Sequence, residues 1–458
     1  MNHATYPPGP RSYFPGQTAF AFRRDVLGYL TQLHHEYGDA VSFSGGGRRF
    51  FVFYHPDQIR DVLITHESKF IKGPALRRAK RVLGEGLLTS EHDFHMRQRR
   101  LAQPALHPQR VATYAAAMVE HAERLSSNWQ DGQIVDMHQQ MMQLTLSIVC
   151  KTLFDADVQS EIEQIGRDMD RTVRMFTRAM TPMGRVIDML PLPSNFRFHR
   201  ARKRLWNTVM HFVEQRRAGG DDRGDLLSML LRATDPANGT MSDLQLRDEL
   251  ITLFTAGYET TANTLAFTWY LLSQNPIASE KLQQEWATVL GDEPPTAAMA
   301  AQLPYTRAVI SETMRLYPPA WAIGREAIEP CRIGEWDIPQ KSVVLISQWV
   351  THRDERFWSA PQMFDPDRWL QETDRPRFAY FPFGGGARSC IGEAFAWMEA
   401  ILLTATIGRH WKMVLLDKPP VPLQATITLR PLQGIRMRLS HIASPPAPPI
   451  LTRDVQEA

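Results

Sequence analysis

Apolar positions along the chain change their period, and each change predicts a change of element. Between residues 56 and about 290 they recur every three or four positions, as in helices that bury one face, above all over 108–129, 139–154, 200–217 and 242–273. Upstream, a helical stretch near 24–37 precedes two β-prone runs, 41–43 and 50–54, joined by Gly45-Gly46-Gly47, a hairpin pattern. Downstream, a helix over 305–316 stops at Pro318-Pro319, and 326–350 turns β-like, with turns at Gly334 and Pro339-Gln340-Lys341. Glycines and prolines over 361–386 predict a long meander, followed by a final helix over about 391–409 and a β-like tail over 425–439. The fold class is therefore mainly α with a small β region, α+β. No internal repeat interrupts it, and the ends, 1–11 and about 444–458, are expected to be flexible.

The longest apolar stretch, 251–272, could span a bilayer by length, but Glu259, Asn263 and six threonines (Thr252, Thr255, Thr260, Thr261, Thr264, Thr268) lie within it. It is expected to be a buried helix with a functional interruption. The N-terminal residues lack the apolar core of a secretion signal, which points to the cytoplasm. A net charge of +3 excludes nucleic-acid binding by charge alone. Three scattered cysteines, Cys150, Cys331 and Cys390, suit neither a disulfide framework nor a zinc site. With 458 residues, length alone favours two or three domains.

The chemistry concentrates in Phe381-Pro-Phe-Gly-Gly-Gly-Ala-Arg-Ser-Cys390-Ile-Gly392. Glycines there let the backbone turn sharply and approach a flat ligand, while a nearby helix N-terminus and Arg388 are expected to favour a thiolate, a sulfur able to ligate iron. The loop resembles, without mismatch, the haem-binding signature of the cytochrome P-450 family of haem-thiolate monooxygenases, of the soluble bacterial type. The resemblance implies one domain over 1–458, with haem b between a long oxygen-binding helix and the cysteine loop. It further implies that Cys390 is the proximal iron ligand, that Phe383 shields the sulfur, and that Gly384, Ile391 and Ala256 lie against the haem. Arg388, His95, Arg99 and Arg325 match the family's cations for the haem carboxylates, His95 standing where tryptophan is commoner.

Two further motifs carry the resemblance. Glu312 and Arg315, three apart on a helix, followed by Arg368 in Phe364-Asp-Pro-Asp-Arg-Trp369, resemble the family's buried structural triad. Ala256-Gly257-Tyr258-Glu259-Thr260-Thr261 buries a carboxylate and places a glycine inside an apolar helix; it resembles the segment that opens a groove for dioxygen, with Thr260 and Glu259 handling protons.

The function implied is hydroxylation of a hydrophobic small molecule of fatty-acid, terpenoid or carotenoid type. Dioxygen is the oxidant, and a separate ferredoxin or flavodoxin with its reductase supplies two electrons. Arg97, Arg99 and Arg100 are expected to form a basic docking face for that donor. Neither a membrane anchor nor a fused reductase domain is expected. The alternative is a non-oxygenase haem-thiolate protein, a peroxide isomerase or dehydratase or a gas-binding sensor, which would have no need of the acid–alcohol pair. By resemblance the pocket would be lined by residues 70–88, 175–190, Leu253, Ala256, 319–323 and Thr428-Leu429, which are mostly apolar.

Overall fold

A computed structural model describes residues 5–11, 17–45, 47–155, 164–168, 171, 187, 189–220, 222–235, 239–371 and 374–442. Nine helices carry the site: α1 (Val26–Tyr37), α2 (His92–Ala102), α3 (Pro108–Ser127), α4 (Met137–Phe154), α5 (Pro193–Gly219), α6 (Asp243–Leu272), α7 (Pro276–Val289), α8 (Pro304–Leu316) and α9 (Glu393–Gly408). Five strands form one sheet: β1 (Ala40–Gly45), β2 (Arg48–Phe53), β3 (Phe70–Lys72), and, after β4 (Ile134–Asp136), β5 (Ile323–Ala327) and β6 (Val343–Ile346). The sheet order is β1-β2-β6-β5-β3, with β6 parallel to β2 and the other pairs antiparallel. At the C-terminal end, β7 (Trp411–Leu415) and β10 (Arg436–His441) form a three-stranded sheet with β4, and β8 (Leu423–Ala425) pairs with β9 (Leu429–Pro431).

The hairpin and the long helices lie where the periodicity places them, with shifted ends. The helix expected over 200–217 begins earlier, at Pro193, and the region 326–350 ends in a helical turn, Gln348–Thr351, rather than in strand. Strands β3 and β4 lie within the stretch read as helical; at three residues each they are too short to show a period.

Helix α6 starts at a capping box, Ser242 with Gln245, and packs along α4 while crossing α8 and α9. Being apolar on nearly every side, it is buried along most of its length. Its threonines are accommodated by bonding back to their own helix: Thr260 to the Ala256 carbonyl at 2.9 Å, Thr264 to Thr260 at 3.0 Å and Thr268 to Thr264 at 2.9 Å. Asn263 meets His138 Nε2 of α4 at 2.8 Å. Among the described residues no helix is long and apolar enough to cross a membrane.

Candidate functional site

The cysteine loop leaves the meander and turns twice through positive φ, at Gly384 (73°) and Gly386 (70°). A Cβ on Gly386 would lie 2.2 Å from the Leu63 carbonyl oxygen, so glycine is required there by space as well as by angle. Cys390 N–H donates to the Phe383 carbonyl at 2.9 Å, closing the loop, and the Phe383 ring lies 5.9 Å from that of Trp397 on α9. Arg99 of α2 donates to the carbonyl of Ser389 at 2.7 Å. Cys390 lies deep in the protein and yet is solvent-accessible, so its side chain lines an internal opening. Ala256, exposed between buried neighbours Phe254, Tyr258 and Glu259 in the middle of α6, does the same.

The charge state expected for the sulfur needs correction. Burial pushes the Cys390 thiol up, outweighing the Gly392 amide and Arg99, which pull it down. The helix begins only at Glu393, and Arg388 turns away from the sulfur to donate to Glu91 at 2.6 Å and to the Ser90 carbonyl at 2.6 Å. Coordination to a metal would itself displace the thiol proton.

The groove motif also differs from expectation. Helix α6 runs unbroken through it, and Gly257 is where α4 comes close: a Cβ there would stand 3.2 Å from Val149 Cγ2. Thr145 of α4 donates to the Tyr258 carbonyl at 2.9 Å. Glu259 is buried and accepts a hydrogen bond from Thr428 Oγ1 at 2.5 Å. Behind it, Glu399 of α9 is wholly buried beside Thr261, and burial pushes its carboxyl up to about 8.

At one edge of the opening cations outnumber anions. Lys72 and Arg325 are buried, with Arg99 and Arg388 adjacent and a buried His95 among them, and among the described residues Glu67 and Glu91 face them. Burial first, then Arg325 and Arg388, push Lys72 well below its usual value; burial and Arg388 lower Arg325 to about 10; burial, Arg388, Lys72 and Arg99 lower His95 to about 3. His95 Nδ1 lies 3.1 Å from the Leu87 carbonyl and 3.2 Å from Ser90 Oγ, while its Nε2 is buried without a hydrogen-bond partner among the described residues. Lys72, which pairs across strands with Arg325, escaped the sequence reading. A signal was present in Phe70-Ile71-Lys72: alternation puts lysine on the same inward face as Phe70.

Beneath the site, Glu312 is wholly buried. It accepts from Arg315 Nε and Nη2 (both 2.8 Å), Arg368 Nε (3.1 Å), Trp369 Nε1 (2.8 Å) and the Asp365 amide (3.0 Å). Arg315 also donates to the carbonyls of His352, Pro361 and Met363, tying the meander to α8. Of the three arginines expected to form a docking face, Arg99 points into the loop, and Arg97 and Arg100 lie 3.9 and 3.8 Å from Asp235; Arg100 keeps 68% of its side chain exposed. Within the expected pocket wall, Phe70, Trp321, Thr428 and Leu429 are buried, and most of 175–190 lies outside the described residues.

A haem fits these residues: an accessible sulfur inside the protein offers an iron ligand, and the buried cations Lys72 and Arg325, with Arg388 adjacent, suit the two carboxylates at one edge of a porphyrin. The family model "Cytochrome P450" matches residues 7–435. The chain is 39% identical to cyclooctatin synthase of Streptomyces melanosporofaciens over 86% of this chain and 87% of that protein. It is 35% identical to cyclooctat-9-en-7-ol 5-monooxygenase of the same organism, over 87% of each chain. Pentalenene oxygenase of Streptomyces avermitilis is 32% identical, over 92% of this chain and 94% of that protein. On the cysteine loop, the site beneath it and this end-to-end similarity, the chain belongs to the cytochrome P450 family.

Proposed function

We propose that this monooxygenase hydroxylates a cyclic terpenoid, using haem b held by Cys390. The observation that carries the reading is the accessibility of Cys390 in its loop and of Ala256 among the buried residues of α6, which we read as the two sides of one haem slot. When bound, the haem supplies reductive activation of dioxygen and insertion of one oxygen atom into a C–H bond. Phe383 and the Gly392 amide would shield and tune the sulfur, Gly384 and Ile391 would lie beside the haem, and Arg99 fixes the loop through Ser389. Lys72, Arg325 and Arg388 would neutralise the carboxylates, with His95 beside them.

On the other side, Thr260 gives its hydroxyl hydrogen to the Ala256 carbonyl, leaving its oxygen to accept a hydrogen bond at the dioxygen site, and Glu259 passes protons to that site from solvent. Glu312, Arg315 and Arg368 support the loop from below without touching substrate. Two electrons come from a separate ferredoxin or flavodoxin with its reductase, attracted in part by Arg100. Cys150, Cys331 and Cys390 form no disulfide, which supports a reducing, cytoplasmic setting.

The terpenoid choice rests on the apolar wall of Phe70, Leu253, Ala256, Trp321 and Leu429 and on relatives whose names specify oxygenation of cyclooctat-9-en-7-ol and pentalenene. Those names favour an oxygenase over a peroxide isomerase or gas sensor. Titrating the ferric protein with pentalenene, cyclooctat-9-en-7-ol, fatty acids, steroids and carotenoids tests it. Terpenoids are expected to convert low-spin iron to high spin; a shift with fatty acids and none with either terpenoid contradicts the substrate class.

A further inference from the structure

We propose that Thr428 is a positioning residue for proton delivery: its hydroxyl holds the Glu259 carboxylate in place from the turn of the C-terminal hairpin. The proposal rests on the reading of Glu259 as the proton-passing group and adds to it the residue that fixes where that group stands.

The hydroxyl is delivered by a turn with little freedom. Ala425 and Leu429 face each other across the β8–β9 pair, so residues 426–428 form the connection. Within it the Thr426 amide donates to the Thr428 carbonyl at 3.0 Å. From outside, Leu429 N–H donates to the Pro319 carbonyl at 2.9 Å, and Trp321 Nε1 donates to the Thr426 carbonyl at 3.0 Å. The hairpin turn is thus pinned to the turn that follows α8, on both sides of Thr428. A β-branched side chain on a pinned backbone has few rotamers, so its hydroxyl has a fixed address.

That address is Glu259 Oε1, 2.5 Å away, with Thr428 at 8% and Glu259 at 3% exposure. At that separation the hydroxyl donates a short hydrogen bond to the carboxyl oxygen. A hydroxyl donor held there favours the carboxylate over the acid, against the opposing effect of burial. Because the 319–323 and 426–429 turns also wall the proposed substrate space, a substrate seated against them bears on the same anchor that aims the acid.

The test compares Thr428→Val, which keeps the shape and removes the hydroxyl, with Thr428→Ser, which keeps the hydroxyl, and with Glu259→Gln, all in holoenzyme matched for haem content. Carboxyl infrared difference spectra of the ferric protein across pH, assigned by loss of the band in Glu259→Gln, read the proton on Glu259 without turnover. In Thr428→Val the titration of Glu259 is expected to rise by about one pH unit, the effect of losing one charge-assisted hydrogen bond. Product formed per electron pair falls with a matching gain in hydrogen peroxide, and the solvent deuterium effect on turnover grows; Thr428→Ser restores all three. An unmoved titration and unchanged coupling in Thr428→Val, beside a poorly coupled Glu259→Gln, overturn the positioning role alone. Wild-type coupling in Glu259→Gln overturns the proton-passing reading and this proposal with it. If Thr428→Val does not load haem, the decision falls to Thr428→Ser, where a titration and coupling unlike the wild type contradict the proposal.

Discussion

Removing the carboxylate of Glu312 should cost the protein much of its stability. In Glu312→Ala, two guanidinium groups lose their counter-charge, at positions where Glu312 and Arg315 are fully buried and Arg368 is 9% exposed. Five hydrogen bonds vanish together: two from Arg315 and one each from Arg368, Trp369 and the Asp365 amide. Arg315 keeps its three carbonyl acceptors, and Arg368 keeps the Ser359 carbonyl at 2.8 Å. The loss is thus that of a broken buried pair, about 3–5 kcal/mol, rather than of five independent bonds. Against a total stability of roughly 5–15 kcal/mol, this is enough to empty the folded state under mild stress. Urea unfolding of the haem-loaded protein, followed by circular dichroism and haem absorbance, measures it. Glu312→Gln, which keeps the shape without the charge, should lie between Ala and wild type. Full haem loading of Glu312→Ala, with a loss under about 1 kcal/mol, would refute the reasoning.

Thr260→Ala should keep haem and substrate binding while diverting electrons into hydrogen peroxide; unchanged product per electron pair removes Thr260 from proton handling. Glu399 is pushed from 4.5 to about 8 by burial, so the folded chain keeps a proton that the unfolded chain gives up between those values. Stability is therefore fully present at acid pH and declines as pH rises through that window. Glu399→Gln should flatten the decline in the urea midpoint, leaving the part due to Glu249, which is also pushed to about 8; an unaltered slope contradicts this. With Arg100 as the exposed cation near Asp235, turnover with a ferredoxin should fall only modestly as salt rises, and Arg100→Ala should remove most of that dependence.

Residues whose chemistry is local were legible in the sequence. Gly384 and Gly386 announce a tight loop because few other residues adopt their φ, and Glu312 with Arg315 share a helix face by spacing alone. Long amphipathic helices were legible for the same reason, and three-residue strands were not. What escaped depends on partners distant in the chain. Arg388 neighbours Cys390 in sequence, yet its guanidinium goes to Glu91, 297 positions away. Gly257 suggests a loosened helix until Val149 of α4 is seen against it. Thr428 was recognisable as part of a pocket wall, but its bond to Glu259 spans 169 positions. Lys72 follows two apolar residues, and only the strand pairing with Arg325 shows that its charge is buried among other cations.

The central claim is that Cys390, facing the internal opening, ligates haem iron through its sulfur. The most direct measurement is the carbon monoxide difference spectrum of the reduced protein in wild type and Cys390→Ser at equal haem content. The wild type is expected to show the strongly red-shifted band that a thiolate ligand produces, and Cys390→Ser is expected to lose it. Persistence of that band in Cys390→Ser would contradict the assignment of the ligand and the site built around it.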